Sequence, residues 1–409
     1  MDRTILHCDC NGFFASVECI LTPELKDVPM AVCGDPEHRH GIILAKNELA
    51  KKYKIQTAET IWQAKKKCPD LVLVPPHHDE YKKYSKIVNK IYERYTEKVE
   101  PFGIDESWLD VTDSVHLFGD GKQIADTLRK AVFSETGLTI SVGVSFNKVL
   151  AKLGSDYKKP DATTVINREN FKSIVHPLPV SSLLFVGKKA EQTLHKLYIY
   201  TIGDLANSDE NLIISRLGKT GKLIHEYANG IDDTPVKSIN EADPIKSVGN
   251  GMTFKRDLQG LSDITISVNT LSDTVASRLR KYGFKCSTLQ VSIKDPDFKT
   301  ISRQKALPSP TYLAKEISQQ ALELIKASWK LNAPIRTLTI TGTNLVPAHE
   351  EMLQISLFND CNNDDERHKQ EQLETAIDKI REKFGTNAIS FGSVINNCLG
   401  IDEPSDDDT

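Results

Sequence analysis

One order of predicted strands and helices occurs twice in this chain of 409 residues, and it constrains the fold more strongly than any other feature. Short apolar runs predict strands, and apolar residues at helical spacing predict helices. When residues 22–78 are set aside, residues 4–144 are predicted to follow the order β-α-β-β-α-β. Residues 245–342 are predicted to follow the same order again. The first unit has the ferredoxin-like order, so we predict a multidomain α+β protein.

The bounds of the predicted elements follow from these patterns. In the first unit they are a strand over 4–9, helices near 12–21 and over Tyr81–Val99, a hairpin over 102–111, a helix over 120–135, a strand over Leu138–Val144 and a closing helix over Asn147–Tyr157. In the second they are a strand over 245–254, a helix over 264–283, strands over 287–294 and 299–306, a helix over 311–329 and a strand over 335–342. The string Gly249-Asn-Gly251 predicts a turn or bulge.

Two further segments complete the main organisation. Residues 22–78 are rich in lysine and are predicted to form an inserted subdomain. Residues 170–236 are predicted to be helical, with two glycine-bearing turns that each precede a helix. Such turns can direct backbone N–H groups and a helix N-terminus at a phosphate. The turn residues predicted to contact DNA are Gly187, Lys188, Gly218 and Lys219.

Three carboxylates occur where an apolar strand pattern should exclude charge. Asp9 ends the first strand, and Asp105 and Glu106 interrupt the hairpin. A carboxylate near a sheet needs a counter-charge. An Asp-Glu pair in a hairpin is most often only solvated, but three converging carboxylates are typical of two-metal phosphoryl-transfer sites. We therefore predict that Asp9, Asp105 and Glu106, with the backbone carbonyl of Cys10, bind two Mg²⁺ ions.

Neighbouring side chains predict a nucleotide site beside these acids. Of Phe13 and Phe14, one ring is expected to pack in the core. The other is expected to lie over the floor of the site, where a ring against the sugar would leave no room for a 2′-hydroxyl. Lys159, which precedes Pro160, and Lys51 in the inserted subdomain are candidates for contact with a triphosphate, although surface lysines are usually only solvated.

Charge is distributed unevenly along the chain, whose net charge is −4. Residues 350–409 hold 15 acids and 5 bases, and residues 241–349 hold 15 bases and 9 acids. The basic segment is therefore the expected reader of a phosphate backbone. A basic sheet face would suit a duplex groove, although a merely solvated face is the more common arrangement. The residues predicted to contact DNA there are Lys246, Lys255, Arg256, Arg303 and Arg336.

Composition and the N-terminus exclude several classes of protein. No apolar run approaches membrane-spanning length, and we expect no signal peptide, because Met1-Asp2-Arg3 leads directly into the first predicted strand. The eight cysteines form no CxxC pair, and Cys8 and Cys10 flank a predicted metal ligand. Reduced thiols in a cytosolic protein are therefore expected.

Five motifs stand in order along the chain: Cys8-Asp-Cys-Asn-Gly-Phe-Phe-Ala-Ser-Val-Glu18, Gly103-Ile-Asp-Glu-Ser-Trp-Leu-Asp110, Ser141-Val-Gly-Val-Ser-Phe-Asn-Lys-Val-Leu-Ala-Lys152, Lys159-Pro-Asp161 and Lys246-Ser-Val-Gly-Asn250. With them, about residues 1–345 resemble the Y family of translesion DNA polymerases, of the DNA polymerase IV type. The resemblance implies metal binding by Asp9, Asp105 and Glu106, a steric gate at Phe14 and triphosphate contact by Lys159. The domains that it implies are a palm (1–21 and 79–168), inserted fingers (22–78), a helical thumb with helix-hairpin-helix turns (169–236), a linker (237–244), a βαββαβ little finger (245–346) and a tail (347–409).

One segment departs from the family pattern. Members usually carry Tyr-Glu-Ala-Arg in the fingers, whereas this chain has Ala45-Lys-Asn-Glu-Leu-Ala-Lys51. Lys51 is the candidate replacement for the arginine, but a lysine does not provide a bidentate fork, and no tyrosine matches. The Asn and Lys resemble instead the catalytic subunit of DNA polymerase V, which is one alternative.

The expected activity is low-fidelity synthesis on primer–template DNA, in which a primer 3′-hydroxyl attacks the α-phosphate of a dNTP. Two other functions are possible for such a chain. One is a non-catalytic, clamp-tethered DNA-binding adaptor, but an adaptor needs no carboxylate triad. The other is a ferredoxin-like cyclase, but a cyclase leaves the thumb-like turns unexplained. A tail peptide resembles the peptide by which bacterial polymerases bind the sliding clamp, through Gln354, Leu357 and Phe358. We expect a monomer in the cytoplasm of a bacterium, associated with the nucleoid.

Overall fold

A computed structural model describes residues 2–35, 41–241, 244–349, 362–385, 388–390, 392 and 398–401. The chain divides into two compact units, which are described separately: the first comprises Met1–Gly34 and Ile42–Ala242, and the second comprises Asp35–Gly41 and Asp243–Thr409. The clamp-like peptide at Gln354–Phe358 and the acidic end at Asp402–Thr409 lie outside the described residues.

The helices and strands of the described residues have these bounds in chain order: β1 Ile5–Cys10, α1 Phe13–Leu21, β2 Met30–Cys33, β3 Ile43–Lys46, α2 Glu48–Lys52, α3 Ile61–Lys67, β4 Val72–Val74, α4 His78–Tyr92, β5 Val99–Pro101, β6 Glu106–Asp110, α5 Val115–Phe118, α6 Gly121–Thr136, β7 Ile140–Ser145, α7 Lys148–Tyr157, β8 Thr163–Ile166, α8 Phe171–Val175, α9 Lys188–His195, α10 Ile202–Ala206, α11 Glu210–Ala228, β9 Ser247–Leu258, α12 Gly260–Tyr282, β10 Phe284–Lys294, β11 Thr300–Thr311, α13 Ala314–Ser328, β12 Ile335–Pro347 and α14 Asn362–Phe384. None of these helices is long and apolar enough to span a bilayer.

A five-stranded sheet in the order β5-β6-β1-β7-β8 forms the centre of the first unit. Its first four strands are antiparallel, and their order is the ferredoxin-like one that the sequence predicts. Alternate residues of β1 point to opposite faces. Leu6, Cys8 and Cys10 enter a core shared with α4 and α6, whereas Ile5 packs with Trp108 on the face covered by α7. Strand β1 is therefore buried on both faces, which explains its nearly continuous apolar sequence.

The inserted subdomain is built on a small sheet in the order β3-β2-β4. Helix α3 begins with a capping box, in which Thr60 and Gln63 satisfy one another's backbone N–H groups. Asn47 caps α2 and also donates to the carbonyls of Leu25 (3.1 Å) and Val28 (2.8 Å). Asn47 thus connects the start of α2 to the segment before β2.

The helical segment after β8 packs around a core to which α8–α11 contribute, together with Val149, Leu150 and Leu153 of α7. Helix α9 begins after Gly187, as the turn pattern predicts. Helix α11 is kinked at Gly218, where φ is 61° and ψ is −140°. A residue with a side chain rarely adopts this conformation. The backbone of the second glycine turn therefore favours glycine at position 218.

The second unit contains a four-stranded sheet in the order β11-β10-β12-β9, with α12 and α13 packed on one face. The β-α-β-β-α-β element order is as predicted, but its sheet order differs from that of the first unit. The predicted turn or bulge at 249–251 is wrong, because these residues pair regularly with Thr339–Thr341 inside β9. The predicted helix start at 311 is also wrong, because β11 continues to Thr311.

Helix α14 packs on the second unit through buried ion pairs. Arg280 of α12 pairs with Glu374 and, at 2.6 Å, with Asp378. Glu374 also accepts the backbone N–H of Ala314 at the start of α13 (3.1 Å). Arg381 pairs with Asp273 at 2.7 Å. The described part of the tail is therefore attached to α12 and α13.

Candidate active site

Strand pairing brings the three predicted acidic residues to one end of the central sheet. Asp9 at the end of β1 lies directly opposite Glu106 at the start of β6. The backbone N–H of Cys10 donates to the carbonyl of Asp105 at 2.9 Å, which holds Asp105 beside the same strand end. Directly opposed residues of antiparallel strands have side chains on the same face. Asp9 and Glu106 therefore lie on the face covered by α7.

Helix α7 supplies cationic and hydrogen-bonding groups to this face. Lys152 forms a close ion pair with Glu106, and the buried His7 places Nε2 3.3 Å from the same carboxylate. The Ser155 hydroxyl lies 2.8 Å from His7 Nδ1 and 2.8 Å from the Lys152 carbonyl oxygen, so it can donate to either of them. These contacts fix the Glu106 carboxylate from the α7 side. The sequence pattern predicted no site role for Lys152 or His7, although Lys152 lies on the α7 face that packs against β1.

Lys159 lies at the same strand end. Its Nζ is 2.8 Å from Asp9 and 2.6 Å from Asp156. Burial alone would lower the pKa of Lys159, but the two carboxylates outweigh burial and raise it, so this side chain stays charged. The predicted proximity of Lys159 to the acidic residues is thus present in the structure.

The electrostatics of the three carboxylates are those of an anionic cluster. Burial, together with the charges of Asp9 and Glu106, raises the pKa of Asp105 to about 6. Burial also raises the pKa of Asp9, against the attraction of Lys159. Burial opposes ionisation of Glu106, but the contacts from His7 and Lys152 prevail and lower its pKa to about 2. Three carboxylates face two ammonium groups, so the site retains an excess of negative charge.

This set of groups fits a hard divalent cation. The donors are carboxylate oxygens, which Mg²⁺ prefers, and a cation would offset both the burial and the neighbouring negative charges that raise the pKa of Asp105. Among the residues that the structure describes, no three His, Cys, Asp or Glu side chains are arranged as a complete metal-binding cluster. Asp9 and Glu106 are instead each turned to a lysine.

The two phenylalanines occupy different environments. Phe13 is 3% exposed and packs in the core of the first unit. Phe14 is only half-buried; its ring stacks on Tyr81 with centroids 4.1 Å apart and planes 11° apart. The edge of His78 meets the same ring at 5.8 Å. Of the two rings, Phe14 is therefore the one that remains accessible.

The inserted subdomain meets the start of α1 near Gly12. A Cβ built on Gly12, where φ is 56°, would lie 3.4 Å from the carbonyl oxygen of Lys46. Lys51 is exposed and pairs with Glu48 at 2.5 Å. Burial and the nearby charge of Lys51 lower the pKa of Lys46. The segment that departs from the family pattern thus carries two neighbouring lysines, Lys46 and Lys51. Of the two, only Lys51 was predicted from the sequence to contact the triphosphate.

The residues predicted to contact DNA are accessible in the helical segment. Its four predicted contact residues are exposed in the two turns: Gly187, Lys188, Gly218 and Lys219. No described atom lies within 4 Å of the position that a Cβ would occupy on either glycine. Both turns can therefore be approached closely by another backbone or by a phosphate.

In the second unit, the bases predicted to contact DNA lie in different surroundings. Arg303 is opposite the core residue Val291, so its side chain starts on the helix-covered side of the edge strand β11. Arg256 forms two bonds to Asp263 of α12, at 2.6 and 3.2 Å. Arg336 lies over the Phe298 ring at 4.7 Å, and Lys246 is exposed just before β9. The backbone N–H of Lys255 donates to Leu399 at 3.1 Å. Arg303 therefore does not belong to the open face of the sheet.

Comparison with known proteins places this fold and site in a family. Residues 8–156 match the impB/mucB/samB family, and residues 245–357 match the C-terminal domain of that family. The chain is 48% identical to the DNA polymerase IV of Acetivibrio thermocellus over 97% of this chain and 98% of that one. It is 39% identical to the DNA polymerase IV of Clostridium kluyveri over 97% and 99% of the two chains.

A solved structure has the same architecture. The chimera of Y-family DNA polymerases titled Dbh-Dpo4(243-245)-Dbh matches with a TM-score of 0.75, over 84% of this chain and 99% of that one. Its sequence identity is 22%, so this match supports the fold alone.

The chain belongs to the Y family of DNA polymerases, of the DNA polymerase IV type. It is thus a translesion DNA-directed DNA polymerase, which acts on primer–template DNA and deoxynucleoside triphosphates with a divalent metal ion. The predicted fold class and activity are confirmed. The adaptor and the cyclase are not supported, and the full-length relatives favour the polymerase IV type over the polymerase V subunit.

Proposed function

We propose that the cluster of Asp9, Asp105 and Glu106 is the catalytic centre and that it binds two Mg²⁺ ions, with the Cys10 carbonyl as a further oxygen ligand. The observation that supports this proposal is the pairing of Asp9 with Glu106 across β1 and β6, with Asp105 held at the same strand end. When bound there, the ions would favour ionisation of the primer 3′-hydroxyl and neutralise the leaving pyrophosphate.

The chain's own groups would position the reactants. The primer 3′-oxygen bonds to the α-phosphorus of the dNTP, the bond from that phosphorus to the bridging oxygen breaks, and pyrophosphate leaves. Lys152 and His7 hold Glu106 in place, near the primer terminus. Lys159, already beside Asp9, offers a positive charge to the triphosphate, and Lys51 offers another from the fingers. Catalysis then depends on positioning and electrostatics and involves no covalent enzyme intermediate.

We also propose that the half-buried ring of Phe14 is the steric gate against ribonucleotides, with Phe13 as its support in the core. The exposed turns at Gly187 and Gly218, with Lys188 and Lys219, would bind the DNA backbone through N–H groups and charge. In the little finger, the proposed DNA contacts remain Lys246, Lys255, Arg256, Arg303 and Arg336. The domain bounds given above remain part of this proposal.

Beyond the catalytic centre, we propose a monomer that acts in the bacterial cytoplasm at the nucleoid. Its tail would bind the sliding clamp through Gln354, Leu357 and Phe358. The support for the clamp contact is the sequence of that peptide and its place after the last domain.

The catalytic assignment is tested by primer extension with Mg²⁺ in the double variant Asp105→Ala/Glu106→Ala. Synthesis should be abolished while binding of primer–template DNA is retained, because the changes remove ligands and leave the thumb intact. Asp113→Asn is the matched control, since this carboxylate follows β6 closely but is 84% exposed and pairs with Lys98 at the surface. Normal extension by the double variant would overturn the assignment.

A further inference from the structure

Helix α1 contains a buried carboxylate that the proposed chemistry does not use. Glu18 is 2% exposed, and its cost of burial requires hydrogen-bond partners. Two residues supply these partners: Tyr81 of α4 and His77, which immediately precedes that helix. The Tyr81 hydroxyl donates a short hydrogen bond to Glu18, and His77 Nδ1 lies 2.9 and 3.0 Å from the two carboxylate oxygens.

The same tyrosine is the surface on which Phe14 rests. Tyr81 is fully buried, and its ring stacks on Phe14 at 4.1 Å. Phe14 and Glu18 are four residues apart on α1, so their side chains lie on one face of that helix. Tyr81 therefore bridges two turns of α1, with its ring on Phe14 and its hydroxyl on Glu18.

This arrangement fixes both the place and the tilt of the tyrosine ring. Burial and the bond to Glu18 raise the pKa of Tyr81, so the hydroxyl remains a donor at neutral pH. His78 packs edge-on against both Phe14 (5.8 Å) and Tyr81 (5.6 Å), which closes the side of the stack. Without the acceptor at Glu18, the buried hydroxyl would lack this partner, and the ring would move toward another one.

We propose that Glu18 is a positioning residue for sugar selection: it anchors Tyr81, whose ring holds Phe14 at the distance from the nucleotide sugar that excludes a 2′-hydroxyl. This inference rests on the proposed role of Phe14 as the gate. It assigns part of the discrimination to a side chain that does not touch the substrate.

The test measures kcat/KM for a deoxynucleotide and for the matching ribonucleotide, and takes their ratio as the sugar discrimination. Glu18→Ala should lower that ratio by about tenfold, the effect of removing one buried hydrogen bond. Glu18→Gln should keep most of the ratio, because the amide oxygen still accepts from Tyr81. Tyr81→Phe keeps the ring but removes the donor, so it should resemble Glu18→Ala. The double variant Glu18→Ala/Tyr81→Phe should be no worse than either single variant.

Two further variants separate this role from general damage and from failure of the gate. Glu374→Ala removes a buried carboxylate in the second unit and should leave the ratio unchanged. Phe14→Val should collapse the ratio; if it does not, the gate is wrong and so is the role of Glu18. If Phe14→Val lowers the ratio but Glu18→Ala and Tyr81→Phe leave it unaltered, only the positioning role is overturned. Should Glu18→Ala not fold, Tyr81→Phe decides the question alone.

Discussion

Gly143 marks the closest approach of strand β7 to helix α7, the helix that carries Lys152. A Cβ added there would lie 1.9 Å from the Ala151 carbonyl oxygen and 2.4 Å from the Ser155 nitrogen. Both are backbone atoms, so neither can move without shifting α7. We expect Gly143→Ala to lower the free energy of unfolding by about 3 kcal/mol or more, measured by urea denaturation.

Gly187→Ala is the matched control for this residue-scale prediction. No described atom lies within 4 Å of its Cβ position, and its φ of −80° suits any residue. We expect its free energy of unfolding to change by about 0.5 kcal/mol or less. Similar decreases in the two variants would show that close packing at Gly143 is not the reason for its glycine.

At the residue scale, the sequence predicted the acidic residues because charge interrupts an apolar strand. It did not predict Glu18 or Lys152, because a single charged residue in an amphipathic helix is usually on the solvated face. Only the packing of α1 on α4 and of α7 on the central sheet buries them. The spacing of residues within one helix does not reveal which other element that helix packs against.

The sequence predicted the type of each element and the order of elements along the chain better than it predicted where an element ends or which strands pair. The order of strands in the second sheet was not predictable, because the same chain order is compatible with several pairings. The strand through Gly249 and Gly251 was missed because glycine usually signals a turn. Here the absent Cβ atoms leave room for Thr341 and Thr339, whose Oγ1 atoms would lie 2.6 and 2.4 Å from them.

The attachment of α14 gives an element-scale prediction. The Arg280 side chain is 9% exposed, and its removal would leave Glu374 and Asp378 without their cation in a buried site. We expect Arg280→Met to lower the free energy of unfolding of the second unit by about 3 kcal/mol or more. Urea denaturation, with limited proteolysis to report release of α14, measures this effect.

A surface ion pair of the same unit provides the comparison. Lys305 pairs with Glu323 at 3.0 Å, with both side chains about half exposed. Lys305→Met is expected to cost about 1 kcal/mol or less. If Arg280→Met were equally mild and α14 remained protected from protease, apolar packing rather than the ion pairs would hold the helix.

At the scale of the whole molecule, the basic segment between an almost neutral N-terminal part and an acidic tail predicts DNA binding that depends on salt. Removal of one charge that neutralises a phosphate should reduce the slope of log K against log salt by about one. We expect a combined reduction of about two for Lys255→Gln/Arg303→Gln, measured by fluorescence anisotropy of labelled primer–template DNA. Arg256→Gln should have a smaller effect, because Asp263 already shares its charge. An unaltered slope in the first variant would remove Lys255 and Arg303 from the interface.

The tail provides the last prediction at this scale, because it would connect the polymerase to a second protein. If Leu357 and Phe358 bind the clamp, Leu357→Ala/Phe358→Ala should abolish stimulation of primer extension by a bacterial sliding clamp and leave extension without the clamp intact. Leu373→Ala/Phe384→Ala is the matched control, since these apolar side chains of α14 are 54% and 67% exposed in the same acidic tail. Loss of stimulation in the control but not in the first variant would transfer the clamp contact to α14. Equal stimulation in both would mean that neither apolar pair attaches the enzyme to the clamp.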